Sequence, residues 1–203
     1  MQALGLPASD VAVDPLLAYL DLLQKWNQAY NLSAVRDPQR MVHQHLLDSL
    51  AALPPLDRQL QGRRDARILD VGSGAGLPGV VWALMRPGWS ICCVDAVAKK
   101  VSFIRQVAAE LSLRNLQGEH SRVEQLQRPG FDLVASRAFA SLADFSALTR
   151  RHLQPGGCWV AMKGKVPEEE IAALPADVEV FHVEQLRVPG LDAQRCLVWM
   201  RPR

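Results

Sequence analysis

The feature that most constrains this chain is the run Ile68-Leu69-Asp70-Val71-Gly72-Ser73-Gly74-Ala75-Gly76-Leu77-Pro78-Gly79. A short apolar strand pattern passes into a glycine-rich turn. A helix can then begin at Pro78, because proline fits the first helical position. Strand, glycine turn and helix in this order build an open α/β sheet, whose ligands bind at the carboxyl ends of the strands. Glycines at that turn let a ligand approach the backbone with no side chain in the way.

The spacing separates two classes of nucleoside cofactor. A dinucleotide fingerprint, Gly-x-Gly-x-x-Gly, requires its third glycine at position 77. That position is Leu77, and the glycine falls at Gly76 instead. Asp70, just ahead of the turn, would also face a pyrophosphate unfavourably. S-adenosylmethionine carries no phosphate, and its amino-acid end presents an ammonium and a sulfonium, which an acid beside the turn suits. The expected ligand is therefore the methyl donor, with Gly72 and Gly74 at the contact. Asp95 ends the next apolar run. A carboxylate there can accept both ribose hydroxyls, and its structural alternative is the N-cap of the following helix.

The rest of the chain agrees with an α/β class. Apolar runs at 67–71, 90–95, 115–119, 131–136 and 157–163 alternate with helical patterns, the signature of a mostly parallel sheet. The clearest helix is 99–111, where Val101, Ile104, Val107, Ala108 and Leu111 share a face. Segments 178–188 and 195–201 flank Pro189-Gly190-Leu191-Asp192 and predict an antiparallel hairpin at one edge. Ahead of the sheet, 14–30 is amphipathic, with Leu16, Leu20, Leu23 and Trp26 or Asn27 on one stripe. A second helix opens at Asp37-Pro38, carries Met41, Val42, Leu46, Leu50 and Leu53, and is expected to stop at Pro54-Pro55. A polar connection, 57–65, follows. The chain thus divides into a helical extension, 1–65, and a Rossmann-like domain, 66–203, expected to form one compact unit.

With 203 residues, 49% hydrophobic and 22% charged, the chain suits one domain plus that extension. No apolar stretch approaches bilayer length, and no basic segment leads into an apolar run near the amino terminus, so a soluble protein without a secretory signal is expected. Cys92, Cys93, Cys158 and Cys196 form no CxxC pair. They read as free thiols of a reducing cytoplasm, with no ligand spacing for a metal. The net charge of +2 hides an uneven spread: 36–151 holds 16 Lys and Arg against 11 Asp and Glu, a local balance of +5. Most of the basic residues are Arg, whose planar fork suits phosphates and guanine edges. This permits an RNA substrate without requiring one.

Several separate blocks together resemble the ribosomal RNA small-subunit methyltransferase G family (RsmG, also called GidB). They are Tyr30-Asn31-Leu32, His45-Leu46-Leu47-Asp48-Ser49-Leu50, the turn 70–79, Ser121-Arg122-Val123-Glu124, Ser136-Arg137-Ala138-Phe139-Ala140-Ser141-Leu142 and Met162-Lys163-Gly164. The resemblance runs from about Leu17 to Trp199. The glycine turn alone identifies only a methyltransferase, whereas the Ser-Arg-Ala-Phe-Ala block with His-Leu-Leu-Asp-Ser-Leu is far more specific. It implies a seven-stranded class I methyltransferase fold and methylation at N7 of a guanine in 16S ribosomal RNA. It also implies cofactor contacts from Gly72 and Leu77 in the turn, Val123 and Glu124 after the third strand, and Arg137 at the end of the fourth. Ser73 and Ala75 are small and compatible with the pattern, while Val94-Asp95-Ala96-Val97 is close to it without being characteristic.

Guanine N7 is an acceptor with no proton at neutral pH. It can attack a sulfonium methyl without a general base, so neither a Ser-His-Asp triad nor a metal is expected. Positioning carries such a reaction and can supply about 7–11 kcal/mol. Ser136, Arg137 and Phe139, at the end of the fourth strand, are the positioning candidates. Arg137 reads best as a partner of the cofactor carboxylate, because a guanidinium beside N7 would oppose the charge developing there. Its structural alternative is an ion pair with Asp132 or Asp144. Phe139 is either a stacking platform or plain core. RNA-contact candidates are His45 and Asp48, which share a helix face, the basic cluster of Arg63 and Arg64 with Arg67, and Lys163 and Lys165. Each has a structural alternative: a packed histidine bonded to its neighbour, a solvated basic face, a solvated loop. The partner implied is the small ribosomal subunit or an assembly intermediate of it, met by a monomeric cytoplasmic enzyme. Other readings are a methyltransferase for another RNA, a protein or a small molecule, a NAD-dependent oxidoreductase, and a non-catalytic nucleoside- or RNA-binding module.

Overall fold

Strands buried on both faces need helices above and below, and this requirement organises the molecule. The computed structural model describes residues 4–6 and 13–203. Seven strands, β1 (Arg67–Val71), β2 (Ser90–Asp95), β3 (Leu116–His120), β4 (Phe131–Arg137), β5 (Leu153–Lys163), β6 (Val178–Leu186) and β7 (Arg195–Pro202), form one sheet in the order β3-β2-β1-β4-β5-β7-β6. The first five run parallel, and β7 lies antiparallel to both β5 and β6. The expected hairpin is present, with β7 inside and β6 at the edge. Strand order reverses beside β1, which places the ligand crevice at its carboxyl end.

Along β1 the side chains alternate between two layers. Ile68 faces the layer of Val80, Trp82, Phe103 and Ile104, and Leu69 and Val71 face that of Leu142, Phe145 and Trp159. Cys93 and Cys92 divide between the same two layers, and all four cysteines are buried free thiols. On the first face, α5 (Gly79–Met85) starts almost against the strands. A Cβ on Gly79 would lie 2.4 Å from Cys93 Sγ and 2.8 Å from Asp70 Oδ2, so only glycine lets the helix begin there. The remaining helices of this part are α6 (Ala98–Glu110), α7 (Leu142–Thr149) and the short α8 (Glu168–Ala172).

The amino-terminal helices cover the same face as α5. In α1 (Val13–Tyr30), Leu16, Tyr19, Leu20, Leu23 and Asn27 turn inward. The Tyr19 hydroxyl donates to the Ala75 carbonyl at 2.9 Å, bracing the glycine turn from behind. Asp37 caps α2 (Pro38–Met41) by accepting from the Arg40 N–H at 2.8 Å. The chain then widens into a π-helical turn, Val42–Leu47, before α3 (Asp48–Ala51). Widened turns of this kind recur at functional sites. Pro54-Pro55 does not end the helical segment. Both prolines sit in the first turn of α4 (Leu53–Gln59), where a missing N–H costs nothing because no partner exists for it. The first part of the polar connection expected at 57–65 is therefore helix. Among the described residues no helix is long and apolar enough to cross a membrane.

Candidate active site

Two pockets open at the carboxyl ends of the central strands, and both are lined by Ala138. The first is a cleft of about 380 Å³ between the ends of β1, β2 and β4, with Gly72, Asp95, Arg122, Val123, Glu124 and Phe139 in its wall. That volume falls within the range of about 300–1,000 Å³ usual for cofactor sites. Gly72 and Gly74 both adopt left-handed backbone, φ 65° and 58°. A Cβ on Gly72 would reach to 2.6 Å from the Phe139 ring, while Gly74 has open space at the same position. The turn therefore offers bare backbone to the cleft.

Asp95 organises the cleft floor. Its Oδ2 accepts from the Gly74 N–H at 2.9 Å, its Oδ1 accepts from the Val97 N–H at 2.9 Å, and Lys100 Nζ lies 3.7 Å away. It ties the turn to the segment ahead of α6 and lines the cleft, but it is not the helix N-cap that was its structural alternative: that position is Val97. Val123 and Glu124 begin a short 3₁₀ turn beyond β3; Val123 is buried and Glu124 exposed. His152 fixes this turn from below, with Nε2 3.0 Å from the Val123 carbonyl. Phe139 lines the cleft and also meets Phe145 edge-on, with ring centres 6.4 Å apart.

The second pocket, about 260 Å³, lies between the π-helical turn and the ends of β4, β5 and β7. Asp48, Arg137 and Arg195 form its central group. Asp48 is 2% exposed, and each of its oxygens takes a guanidinium: Arg137 Nη1 at 2.9 Å on Oδ2, Arg195 Nε at 2.8 Å on Oδ1. Arg137 Nη1 also donates to the Gln44 carbonyl at 3.1 Å. His45 is buried beside them, with Nε2 2.8 Å from Ser33 Oγ, and burial together with the Arg137 charge holds its pKa below the usual value. The loop before β7 closes on the same segment through His43 Nδ1, 3.0 Å from the Pro189 carbonyl. Lys163 lines the pocket but spends its ammonium on Glu170 and the Ala140 carbonyl.

Several residues lie elsewhere than their sequence positions suggested. Asp70 points away from the cleft, into the layer of α5, where it is fully buried and its Oδ2 accepts from the Gly79 N–H at 2.9 Å. Arg137 pairs with Asp48, not with Asp132 or Asp144. Asp132 is taken by Arg63, Gln154 and the Arg67 N–H, and Asp144 by Ser141. Arg63 and Arg64 precede β1 and so lie at the end of the sheet opposite the two pockets. Leu77 and Ser136 are buried and line neither pocket, while Lys165 is exposed just beyond Gly164. Arg195 and Gln44 were missed because nothing local marks them. Arg195 lies 147 positions from the carboxylate it serves. Arg122, in the Ser-Arg-Val-Glu block, also lines the first cleft. Among the described residues, no group of three or more His, Cys, Asp or Glu is placed to hold a metal ion.

A family model described as rRNA small subunit methyltransferase G, GidB, matches residues 13–198. The chain belongs to that family. It is 63% identical over 202 residues to the ribosomal RNA small subunit methyltransferase G of Leptothrix cholodnii, covering 100% of this chain and 92% of the relative. The protein of the same description from Bordetella avium is 54% identical over 200 residues, covering 98% and 89%. Among solved structures, a mutant of MtNAS in complex with S-adenosylmethionine matches with TM-score 0.64 at 14% identity, covering 91% of this chain and 74% of that one. A SAM-dependent methyltransferase from Aquifex aeolicus matches with TM-score 0.58 at 18% identity, covering 81% and 93%. At such identities the likeness is one of fold. The cofactor of this methyltransferase family is S-adenosylmethionine, and the first cleft fits it: bare backbone at Gly72, a carboxylate at Asp95 and a second at Glu124, while Gly74, expected at the contact, is tied to Asp95 and does not line the cleft.

One substitution tests that fit. Gly72→Ala puts a methyl group into the Phe139 ring on left-handed backbone, a strain of about 1–3 kcal/mol. S-adenosylmethionine affinity, read by titration calorimetry, is expected to fall at least about tenfold. Unchanged affinity would mean that the turn does not form the cofactor wall.

Proposed function

We propose that the protein transfers a methyl group from S-adenosylmethionine to N7 of a guanine in 16S ribosomal RNA, acting as a cytoplasmic monomer on the small ribosomal subunit or an assembly intermediate. The observation that carries this reading is the junction of two pockets at Ala138, one suited to a nucleoside cofactor and the other walled by arginines. Bound in the first cleft, the cofactor supplies an electrophilic methyl on a sulfonium. The chain's own residues then have positional work. Asp95 holds the turn that forms the cofactor wall and offers its carboxylate to ribose hydroxyls. Glu124 and the Val123 backbone border the adenine side. Phe139, in the wall of the first cleft next to the shared Ala138, limits where an acceptor ring can lie. Guanine N7 arrives without a proton, so no side chain has to remove one. Support for a base as acceptor comes from Arg137 and Arg195, whose forks match a carbonyl acceptor such as O6 better than they match an apolar substrate, with the N7 lone pair left free to attack.

The test is transfer of labelled methyl from S-adenosylmethionine to unmethylated small subunits, with naked 16S RNA in parallel, followed by nucleoside analysis. Label in 7-methylguanosine is the expected result. Tight cofactor binding with no label in either RNA would remove the ribosomal substrate.

A further inference from the structure

Beyond β3 the chain runs through 123–128, the segment that brings Val123 and Glu124 to the cofactor cleft. Its backbone closes one short turn, with the Gln125 N–H on the Arg122 carbonyl at 2.9 Å and the Leu126 N–H on the Val123 carbonyl at 3.2 Å. Four of its carbonyls are held by two consecutive side chains from the 3₁₀ turn that continues α7, 150–152. Arg151 Nη2 donates to the Glu124 carbonyl, and to the Leu126 carbonyl at 2.9 Å. His152, 1% exposed, places Nε2 3.0 Å from the Val123 carbonyl and Nδ1 2.9 Å from the Arg128 carbonyl. A carbonyl oxygen only accepts. The neutral ring has one N–H and satisfies one of the two, whereas the imidazolium donates to both. A helix carboxyl end, where His152 sits, favours such a cation.

We propose that Arg151 and His152 are positioning residues of the cofactor site, fixing the turn whose Glu124 carboxylate and Val123 backbone read the adenine, with His152 holding both carbonyls as the imidazolium. This rests on the adenine lying against that turn. Neither side chain lines the cleft, so each acts through the turn and touches no reacting atom. With its carbonyls released, the turn would let Glu124 swing away from the adenine amino group. Hypoxanthine has a carbonyl in that place, which a carboxylate repels. A fixed Glu124 therefore separates the two bases and a loose one does not. Binding is tighter while both His152 bonds stand, so affinity falls as rising pH takes the second proton. The charged groups on the elements around His152 are Arg150 and Arg151 on its own turn, Glu124 and Arg128 on the clamped segment, Asp144 on α7 and Asp132 on β4. Arg150 is paired with Asp177, Arg128 with Glu119 and Asp132 with Arg63. Between about pH 6 and 8.5 histidine is the residue type among these that ordinarily changes charge.

The experiment is titration calorimetry of the full chain with S-adenosylhomocysteine and its inosine counterpart, at about pH 6 and about pH 8.5. The wild type is expected to favour the adenine ligand about tenfold or more, and to bind it about three- to tenfold more weakly at the higher pH, the worth of one hydrogen bond. His152→Gln keeps one donor and does not titrate, so its affinity at the lower pH should match that of the wild type at the higher. Asp70 and the amino group of the ligand titrate in both proteins, so the wild-type profile is read against this variant. Arg151→Ala, at an exposed position, should lose adenine preference about threefold or more and keep the pH dependence. A purely structural role would weaken both ligands equally and leave the pH profile alone. Should His152→Gln fail to fold, nitrogen-15 resonances of the wild-type His152 ring carry the comparison: two N–H groups at the lower pH are expected, and one overturns the proposal. Parallel pH profiles for the wild type and His152→Gln, or adenine preference undiminished in Arg151→Ala, overturn it as well. Adenine preference that survives Glu124→Ala would overturn the placement of the adenine itself, a distinct outcome.

Discussion

Asp48→Ala is expected to lower stability by about 3 kcal/mol and the unfolding midpoint by about 6–12 °C. Asp48 is 2% exposed and its two oxygens serve two arginines from distant strands. Without it, Arg137 and Arg195 face each other across a partly buried gap, and each loses its charge-assisted partner. Breaking a buried ion pair from one side costs about 3–5 kcal/mol. The lower end applies because the arginine side chains remain 22% and 26% exposed, so water can reach them. The same change frees the π-helical turn from the start of β7 and leaves the charge on Arg137 uncompensated in the second pocket. Methyl transfer should therefore fall further than the loss of folded protein explains. Asp48→Asn keeps an acceptor but not the charge and should lie between. Thermal unfolding checks the first part, and initial rates at a temperature where both variants are folded check the second. A midpoint within about 2 °C of the wild type would mean that desolvation of the carboxylate already cancels the attraction.

The interior of the sheet was readable because its signals are local. Strands β1 and β2 begin and end where their apolar runs do, and the glycine turn announces itself by composition. Features built from distant pairs left no local mark. Nothing near Asp48 indicates that its partners are Arg137 and Arg195, and nothing near Arg63 points to Asp132. The basic cluster at Arg63 and Arg64 looked like a phosphate contact for that reason, although β1 carries the chain away from it to the pockets. Pro54-Pro55 misled in another way. Prolines end a helix when they fall in its interior, yet here the N-cap of α4, Ala52, keeps helical backbone (φ −78°, ψ −19°) and a new first turn begins at once. Asp70 was placed beside the right turn but on the wrong face. The alternation of β1 turns it toward α5, and only the packing of that helix tells which face that is.

That orientation gives Asp70 an unusual pH dependence. It is fully buried, burial pushes its pKa up to about 7, and its Oδ1 has no partner. The Gly79 N–H and the Arg137 charge pull in the opposite direction without overcoming burial. In the unfolded chain the group titrates near about 4. Between about pH 4 and pH 7 the folded state therefore binds the proton that the unfolded state has released, and the Asp70 contribution to stability falls as pH rises. Below that window both states are protonated; above it both are ionised and the loss is complete. With about three pKa units between the states, the difference amounts to about 4 kcal/mol at most. Asp70→Asn fixes the side chain neutral and keeps an acceptor for Gly79. It should match the wild type near about pH 4.5 to within about 1 kcal/mol and exceed it by several kcal/mol at about pH 8. Denaturant unfolding at the two pH values measures this directly. Parallel profiles for the two proteins would mean that Asp70 is ionised throughout and that water reaches it beneath the turn. In that case the loop would be less tightly sealed against α5 than the Gly79 contact requires.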